Sequence, residues 1–587
     1  MTGLMHPFGT RTGARARAGR AVLEGPGRAS RARRRLGVPG IALAVALAVA
    51  GCADIPTAGP VQTGGTVSDT VQNDVVFFPS GPIADSSQSK IITDFIDAGT
   101  GSQNDYAVAR EFLTPSFAKK WNPRAGVVVR QGTGSVQEQA PTQSSLTVST
   151  AATVDSSGHY TQAAPSTTTR LIFRFEKVKG QWRLSYAADG IVLSTANFDN
   201  VFRPHAVYFF DPTYAYLVPD ERWFLARTST ASRVAAALLA GPSPWLRGAV
   251  ATAFPDGTTL NSVTADSATA RVDLSEQAGN ADETARSRMR AQLVASFSTI
   301  ATVSSVDISV DGAALSIPAD TGSGVVRDPT VDARPLVLTK GVFGFATPTT
   351  VTPIASLSKT VAGLKPTAIE LSTRQNTAAV GTDTGVYSVR ENVAPTLVDS
   401  RPGLVDPSLD DLGFVWSAQA DSPRSLTAYE LDGTAHALSM SLPADEQVVA
   451  FKVSRDGTRL VMLLDAAGTT HLFVAAIIRD SKHAPTGLGD PLELTPPAGD
   501  PVGVTWVDDN TVATLSTSTS GDSLVSEQDI GGETTDLGRP SSPGVSIVGG
   551  NGVDRVRVMT VTGDLLEPRG NGWQDSGVTT DLLATQR

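Results

Sequence analysis

The sequence predicts a multidomain protein in which α+β domains precede an all-β domain. From about residue 75 to 200, apolar residues first recur with helical spacing and then alternate with period two. From 202 to 318, strand-like runs are mixed with two helical stretches. After residue 345 no useful helix-period run occurs, and short β-type segments recur between turn signals. These three changes of periodicity define the predicted domains.

The N-terminal segment carries the signals of an exported lipoprotein. The only cysteine, Cys52, directly follows a short apolar run, and the string Val49-Ala50-Gly51-Cys52 resembles the lipobox of bacterial lipoproteins. The run is too short to span a bilayer, and nine arginines precede it, which keeps that side cytoplasmic. The resemblance implies that residues 1–51 form a cleaved signal peptide. It also implies that Cys52 carries S-diacylglycerol and N-acyl chains such as palmitate, anchored at the outer, extracytoplasmic face of the cell membrane.

The mature chain is acidic, and it begins with a segment that is predicted to be flexible. Residues 52–74 are rich in Gly, Pro and Thr, which predicts a flexible tether behind the lipid anchor. Beyond Cys52 the chain has 39 basic against 57 acidic residues, which argues against nucleic acid as a partner. Lipidation of Cys52 would also leave no thiol for catalysis or disulfides.

The first domain is predicted over residues 75–200. A helix should begin at Asp85 to Ser87 and end at Gly99, since apolar residues between them form one stripe. A second helix should begin at Asn104 or Asp105. Period-two runs, including Leu171 to Phe175, then predict an antiparallel sheet. Helices followed by a curved sheet resemble the cone-shaped nuclear-transport-factor-2-like (NTF2-like) fold.

The second domain is predicted over residues 202–318. Val207 to Phe210 should be a strand, with Tyr214 to Pro219 and Arg222 to Leu225 as two further strands paired around Asp220-Glu221. A long helix is predicted from Thr284 to Ile300. The order of elements and the landmarks LLAGP and FPDGT resemble the sporulation-and-germination (GerMN) domain.

The third domain is predicted over residues 345–587, after a Pro/Gly-rich linker at 319–344. Five β-type segments align with spacings of 35, 46, 52 and 44 residues, centred on Val380, Val415, Val461, Ala513 and Arg557. A four-strand unit repeated every 40 to 50 residues is typical of a β-propeller. Five or six blades fit the length, and a pair of β-sandwiches is the alternative.

The sequence carries no recognisable catalytic set. The histidines of the mature chain lack the spacing of metal ligands, and the G-x-S-x-G elbow of hydrolases is absent. Three Ser-x-x-Lys strings occur without the partner motifs of penicillin-binding enzymes. The sequence therefore predicts no enzyme activity, no catalytic residue, no metal and no cofactor.

Aromatic residues suggest a binding surface. Seven of them lie between Tyr208 and Phe224, and most should be core because aromatic side chains dominate core burial. The remainder should point outward, and Tyr214 and Tyr216 are candidates for a partner or glycan surface. Trp245, between Pro244 and Leu246 after a helix stop, is a third candidate.

The order of lipobox, tether, NTF2-like domain, GerMN-like domain and propeller-like domain resembles the actinobacterial LpqB lipoprotein family. The resemblance implies an accessory lipoprotein of the MtrAB two-component system. Its partner would be the extracytoplasmic domain of the sensor histidine kinase MtrB, and it would modulate signalling in cell division and envelope homeostasis. Two alternatives remain: a lipoprotein that binds cell-wall peptidoglycan without a kinase partner, and a wall-modifying enzyme, which the missing catalytic sets disfavour.

Overall fold

A computed structural model describes residues 79–587, apart from 227–228, 267, 319–323, 443–445 and 571. The predicted signal peptide, lipidation site and tether lie outside these residues. The described residues belong to one compact unit, in which three domains follow one another along the chain.

The first domain wraps a curved sheet around short helices. The helices are α1 (Gln88–Ala98), α2 (Ala107–Glu111), α3 (Pro115–Ala118) and α4 (Thr195–Val201), and the strands are β1 (Gly126–Ala140), β2 (Gln143–Asp155), β3 (Tyr160–Gln162), β4 (Thr168–Val178), β5 (Gln181–Tyr186) and β6 (Ile191–Ser194). The strand order is β5-β4-β2-β1-β6, with β3 pairing β2. Three shifts of register between β1 and β2 bend the sheet, because each irregularity increases local twist.

The predicted elements of this domain are largely confirmed. Ser87 caps α1 by accepting a hydrogen bond from the Lys90 amide, and the predicted apolar stripe is buried. The second helix begins at Ala107, two or three residues later than predicted, after Tyr106, whose φ of 60° ends the preceding turn. Leu171, Phe173 and Phe175 point from β4 into the core, as their alternation predicts.

The second domain combines a two-stranded ribbon with a small mixed sheet and two helices. The ribbon is β7 (Phe202–Phe210) and β8 (Leu217–Leu225). The other elements are α5 (Thr230–Ala240), a 3-10 turn (Pro244–Leu246), β9 (Leu260–Asp266), β10 (Thr269–Leu274), a second 3-10 turn (Glu276–Asn280), α6 (Glu283–Phe297), β11 (Ser305–Val310) and β12 (Ala313–Ala314). The sheet order is β12-β11-β10-β9, and β10 and β11 run parallel.

The predicted turn at Asp220-Glu221 is wrong. Residues 217–225 form one continuous strand, in which Asp220 pairs with Val207 and Glu221 with Ala206 of β7. The carboxylate of Asp220 is accommodated within the strand because it is ion-paired to Arg222 two residues later, on the same face. The ribbon also crosses the predicted boundary at 200–202, since Phe202, Trp223 and Leu225 belong to the core of the first domain.

The third domain is a β-propeller. Within the described part of residues 324–587, the strands form six blades, so the larger of the two predicted blade numbers holds. Blade 1 contains β13 (Leu336–Thr339), β14 (Val342–Ala346) and β15 (Val351–Pro353), together with the last strand of the chain, β37 (Leu582–Gln586). Blade 2 contains β16 (Ala368–Leu371), β17 (Thr377–Thr382), β18 (Gly385–Arg390) and β19 (Thr396–Asp399), and blade 3 contains β20 (Ser408–Leu409), β21 (Phe414–Gln419), β22 (Ser422–Glu430) and β23 (Ala435–Ala437). The strands of the other blades are β24 (Gln447–Val453), β25 (Arg459–Ala466), β26 (Thr469–Arg479), β27 (Pro485–Leu488) and β28 (Leu492–Leu494) in blade 4; β29 (Asp500–Trp506), β30 (Thr511–Thr517), β31 (Ser523–Asp529) and β32 (Thr534–Asp536) in blade 5; and β33 (Gly544–Val548), β34 (Arg557–Thr560), β35 (Asp564–Arg569) and β36 (Gly572–Thr579) in blade 6. A short helix, α7 (Ser358–Gly363), connects blades 1 and 2.

The ring closes through the last strand. β37 is the innermost strand of blade 1 and pairs with β13, so that Leu336 faces Ala584 and Leu338 faces Leu582. The predicted linker at 319–344 therefore extends too far, because β13 and the start of β14 already belong to the propeller. Joining distant parts of the chain in one blade removes the free sheet edges that an open ring would leave.

Buried charge surrounds the centre of the ring. Glu370 on β16 is 1% exposed and accepts hydrogen bonds from Arg587 (3.2 Å) and from Lys452 on β24 (3.1 Å). The same carboxylate accepts from the Ser408 hydroxyl (3.0 Å) on β20. One buried acid thus links the innermost strands of three blades with Arg587, which directly follows β37.

Candidate functional site

The residues of the predicted lipobox, Val49, Ala50, Gly51 and Cys52, lie outside the described part of the chain. Their assignment as the lipidation and cleavage site stays a prediction from sequence. In the described residues no helix has both the length and the apolar character needed to cross a membrane.

The aromatic segment between Tyr208 and Phe224 is mainly core, as predicted. Tyr208, Phe209, Phe210, Trp223 and Phe224 are all buried. The two tyrosines that were predicted to point outward are only partly exposed, and both make contacts within the protein.

Tyr214 lies in the turn between β7 and β8 with a φ of 60°. Its ring packs 5.2 Å from that of Phe210, and the guanidinium carbon of Arg288 on α6 lies 3.9 Å from the ring centroid. Such a cation–π contact stabilises the turn against the helix. A role for Tyr214 in binding a partner or glycan stays a prediction.

Tyr216 connects the second domain to the propeller. Its hydroxyl donates to the Asp411 carboxylate of blade 3 (3.0 Å), which also accepts from Thr373 of blade 2. Burial and the nearby Asp411 raise the pKa of Tyr216, so the phenol remains protonated and able to donate. No local sequence pattern indicates this contact between domains, and a binding role for Tyr216 remains a prediction.

Trp245 occupies the 3-10 turn after α5 and packs against the propeller. It lies among apolar side chains of blade 4, which include Ala476 and Ile478 on β26 and Leu492 on β28. Trp245 is nevertheless partly exposed, because one side of it lines a pocket between the domains. This pocket is the candidate functional site.

The pocket lies where all three domains meet and has a volume of about 220 Å³. Its wall contains residues of the first domain (His159, Tyr160, Thr161), of the second (Asp220, Glu221, Ser243, Pro244, Trp245) and of the propeller (Leu492, Ile530, Gly531). Mostly apolar walls and a position between domains are typical of small-molecule sites.

A chain of short hydrogen bonds forms one wall. The His159 Nε2 atom of the first domain lies 2.7 Å from the Ser243 hydroxyl of the second, and its Nδ1 atom lies 2.8 Å from the Asp155 carboxylate. The hydroxyl of Ser243 also donates to Asp220 Oδ1. Asp220 is itself ion-paired with Arg222 (2.7 Å), and both side chains are buried. We call these five residues the junction clasp.

The junction clasp resembles a Ser-His-Asp triad in its distances, but its protons are arranged differently. Asp220 is held as a carboxylate by Arg222, and a carboxylate only accepts, so the Ser243 proton points to Asp220. In a catalytic triad the serine donates to the histidine, whereas here the Ser243 proton is directed to Asp220. In this arrangement the clasp connects the first domain with the second.

Carboxylates accumulate on the propeller side of the pocket. Glu221 accepts a hydrogen bond from Asn510 (3.0 Å), and Asp508, Asp509 and Asp529 lie close by. Burial and these three acids raise the pKa of Glu221 to about 8. In the described residues no arginine, lysine or histidine lies within ion-pair distance of Glu221. The described residues also contain no group of three or more His, Cys, Asp or Glu arranged to hold a metal ion.

Comparison with protein families agrees with the three domains. Residues 81–199 match the model of the N-terminal domain of lipoprotein LpqB, residues 206–316 match the sporulation and spore germination domain, and residues 345–581 match the β-propeller domain of lipoprotein LpqB. Two of the three models are specific to one family, and they occur in the expected order. The chain belongs to the LpqB lipoprotein family.

Curated LpqB lipoproteins of several actinobacteria are similar to this chain. The Streptomyces avermitilis protein is 24% identical over 90% of the chain and 94% of its own length. The proteins of Thermobifida fusca and Bifidobacterium longum are 30% and 36% identical over 47% and 37% of the chain. In these two alignments the chain spans less than half of each relative, 46% and 40%.

Among solved structures, the tandem GerMN domains of GerM from Bacillus subtilis match 32% of this chain and 62% of their own with 15% identity and a TM-score of 0.16.

The junction clasp has no signature in the sequence. His159, Ser243 and Asp220 come from three separate segments, and their spacing matches no catalytic or metal motif. The sequence feature that points to it is Asp220-Glu221-Arg222 inside a strand-like run. Charged side chains in a buried strand need polar or charged partners, which these three residues would have to find in other segments.

Proposed function

We propose that this chain is a membrane-anchored extracytoplasmic lipoprotein that binds the sensor kinase of an MtrAB-like two-component system and modulates its signalling. Membership of the LpqB family supports the lipoprotein part of the proposal. The kinase partner follows only from the family resemblance. We further propose that the chain has no enzymatic activity of its own and acts by binding.

The observation that carries the binding part of this proposal is the mutual locking of the three domains. The Trp223 indole of the second domain donates to the Gly531 carbonyl of blade 5 (3.0 Å), and Gln162 of the first domain accepts from the Thr534 amide (2.9 Å). Tyr216 adds the bond to blade 3. Domains fixed in this way present their surfaces at constant spacing, which suits recognition of one state of a partner.

Physical coupling to a kinase requires only a modest preference. Lipid anchoring places both proteins in the same membrane and raises their effective concentration, so a weak contact suffices. If the lipoprotein binds one kinase state better by about 1–3 kcal/mol, the balance of states shifts roughly 5- to 150-fold.

Crosslinking in native membranes tests this proposal. Photo-crosslinkers placed on exposed propeller positions such as Val393 or Val561 should capture a sensor-kinase ectodomain, identified by mass spectrometry. Kinase autophosphorylation in proteoliposomes should then change when the lipoprotein is added. Crosslinking without any kinase, together with unchanged autophosphorylation, would contradict the proposal.

A second candidate function is binding of cell-wall peptidoglycan. The partly exposed Trp245 in the pocket favours it, because aromatic rings present flat apolar faces to sugars. Cosedimentation with purified peptidoglycan should then fall for Trp245→Leu and persist for Trp182→Leu, a tryptophan that lies outside the pocket. Retention no greater than that of serum albumin would exclude this function.

A further inference from the structure

We propose that the pocket between the three domains binds a small ligand with a protonated amine next to an apolar ring or short chain. The proposal depends on neither the kinase partner nor wall binding. It rests on the pocket's walls, on the hydrogen-bonding capacity that those walls leave unused, and on the charge around them.

The apolar part of the ligand would contact the indole and proline wall. Trp245 and Pro244 line the pocket from the second domain, and Leu492 and Ile530 line it from the propeller. An aromatic face also attracts a cation, and this attraction strengthens when water is excluded. The pocket thus offers a surface that suits both the apolar part and the ammonium group.

The polar wall includes a carboxylate acceptor for that ammonium group. Both nitrogens of His159 and the hydroxyl of Ser243 are used within the junction clasp, and both oxygens of Asp220 are occupied. Glu221 has one oxygen bound to Asn510, while its second oxygen has no hydrogen-bond partner in the described residues. A carboxylate oxygen of this kind accepts strongly from an ammonium donor.

The acids around the pocket favour a cation over a neutral or anionic ligand. Arg222 is the arginine nearest to Glu221 in the strand, and it is held by Asp220 and by the Gly241 carbonyl (2.9 Å). Asp508, Asp509 and Asp529 lie close to Glu221 and disfavour its ionised form. A cationic ligand would offset this repulsion and allow Glu221 to ionise, whereas an anion would increase the repulsion and a neutral ligand would leave it unchanged.

The pocket exists only while the domains are docked, since each domain supplies part of the wall. A ligand that binds there stabilises the docked arrangement, because binding to one state shifts the equilibrium toward it. The ligand would thereby strengthen the mutual locking of the domains.

Cyclohexylamine and cyclohexanol provide a matched pair of probes, since they have the same ring and differ in charge. Calorimetry with the full lipidated protein in nanodiscs, corrected for empty discs, should show saturable binding of cyclohexylamine and at least tenfold weaker binding of cyclohexanol. Glu221→Gln should weaken cyclohexylamine binding about tenfold or more. Glu138→Gln, an exposed acid on β1, should leave it unchanged.

Proton release provides a second measurement that needs no variant. Glu221 has a pKa of about 8 in the free protein, and an ammonium ligand favours its ionised form. Binding at pH 7 should therefore release protons, seen as a calorimetric enthalpy that depends on the ionisation enthalpy of the buffer. Equal binding of both probes, no saturable binding, or undiminished binding by a folded Glu221→Gln protein would each overturn the proposal.

Discussion

The indole nitrogen of Trp223 donates a 3.0 Å hydrogen bond to the carbonyl of Gly531, 308 residues further along the chain. The same indole stacks on Tyr160 with ring centroids 5.2 Å apart and lies 5.0 Å from Phe198. One side chain of the second domain is thus part of the core of the first and bonded to the propeller. Contacts of this kind make the three domains a single mechanical unit.

Replacing Trp223 by Phe should weaken this unit. The smaller ring leaves the Gly531 carbonyl without its donor and reduces the stacking on Tyr160, so we expect a loss of about 1–3 kcal/mol. Calorimetric unfolding should change from one transition toward separate transitions for the propeller and the other domains. Trp182→Phe, whose ring contacts lie within the first domain, serves as the control and should keep a single transition. An unchanged melting profile for Trp223→Phe would contradict this role.

Replacing Glu370 should reduce the stability of the protein more than replacing any other acid of the propeller. Glu370→Leu leaves the buried cations of Arg587 and Lys452 without their counter-charge, which should cost about 3–5 kcal/mol. Denaturant titration of the full protein measures this loss. Glu391→Leu, at an exposed position of the same domain, should have little effect. A loss for Glu370→Leu no larger than that for Glu391→Leu would show that the ion network contributes nothing.

The repeat spacing predicted five of the six blades, for a physical reason. Val380, Val415, Val461, Ala513 and Arg557 each lie on the second strand of a blade, in β17, β21, β25, β30 and β34. Blade 1 was missed because its innermost strand, β37, comes from the far end of the domain and its other three from the start. A linear period detects units that are contiguous in sequence, and this blade is not.

The pocket was less predictable than the fold. Helical and period-two patterns record which side of an element is buried. They predicted α1 and β4 correctly, and they predicted α6 with an end three residues too late. The junction clasp depends on which loops meet after the domains dock, and no local pattern encodes that. Trp245 was identified as unusual, yet its contact with blade 4 required the structure.

Anchoring should depend on Cys52 alone. Cys52→Ala removes the acceptor of the lipid, and the net negative charge of the chain beyond Cys52 disfavours retention at anionic lipids. The variant should leave the membrane fraction, as followed by fractionation and immunoblotting after a high-salt wash. Retention of the variant with washed membranes would show that another anchor exists.

Ser243 should behave as a structural hydroxyl. Its proton is directed to Asp220, so a fluorophosphonate probe should fail to label it, as mass spectrometry of the modified protein would show. Ser243→Ala should instead reduce stability by about 1–3 kcal/mol, because Asp220 and His159 lose their common partner. Ser156→Ala, at an exposed position of the neighbouring loop, is the matched control. Labelling of Ser243 would overturn the proposal that the chain is not an enzyme.

Because of the carboxyl groups beside the pocket, the folded protein should lose stability as the pH rises through the neutral range. Burial and neighbouring acids raise the pKa of Glu221 to about 8. Burial is also the main cause of the raised pKa values of Asp509 and Glu527, which are both about 7. A carboxyl group whose pKa is raised by folding stabilises the folded state while protonated and loses that contribution as the pH rises through the folded value.

The free energy of unfolding should therefore fall from about pH 6.5 to pH 8 and level off above pH 8, where these carboxyl groups are deprotonated in both the folded and the unfolded state. Below this window His205 acts in the opposite direction, since burial lowers its pKa to about 4 and its protonation in the unfolded state favours unfolding. Glu221→Gln removes the carboxyl group with the highest of these pKa values and should flatten the upper half of the profile, whereas Glu138→Gln should leave the slope unchanged. Denaturant titrations at several pH values measure the slope directly. A stability that rises with pH across this window would show that these acids are ionised in the folded protein and that the junction tolerates their charge.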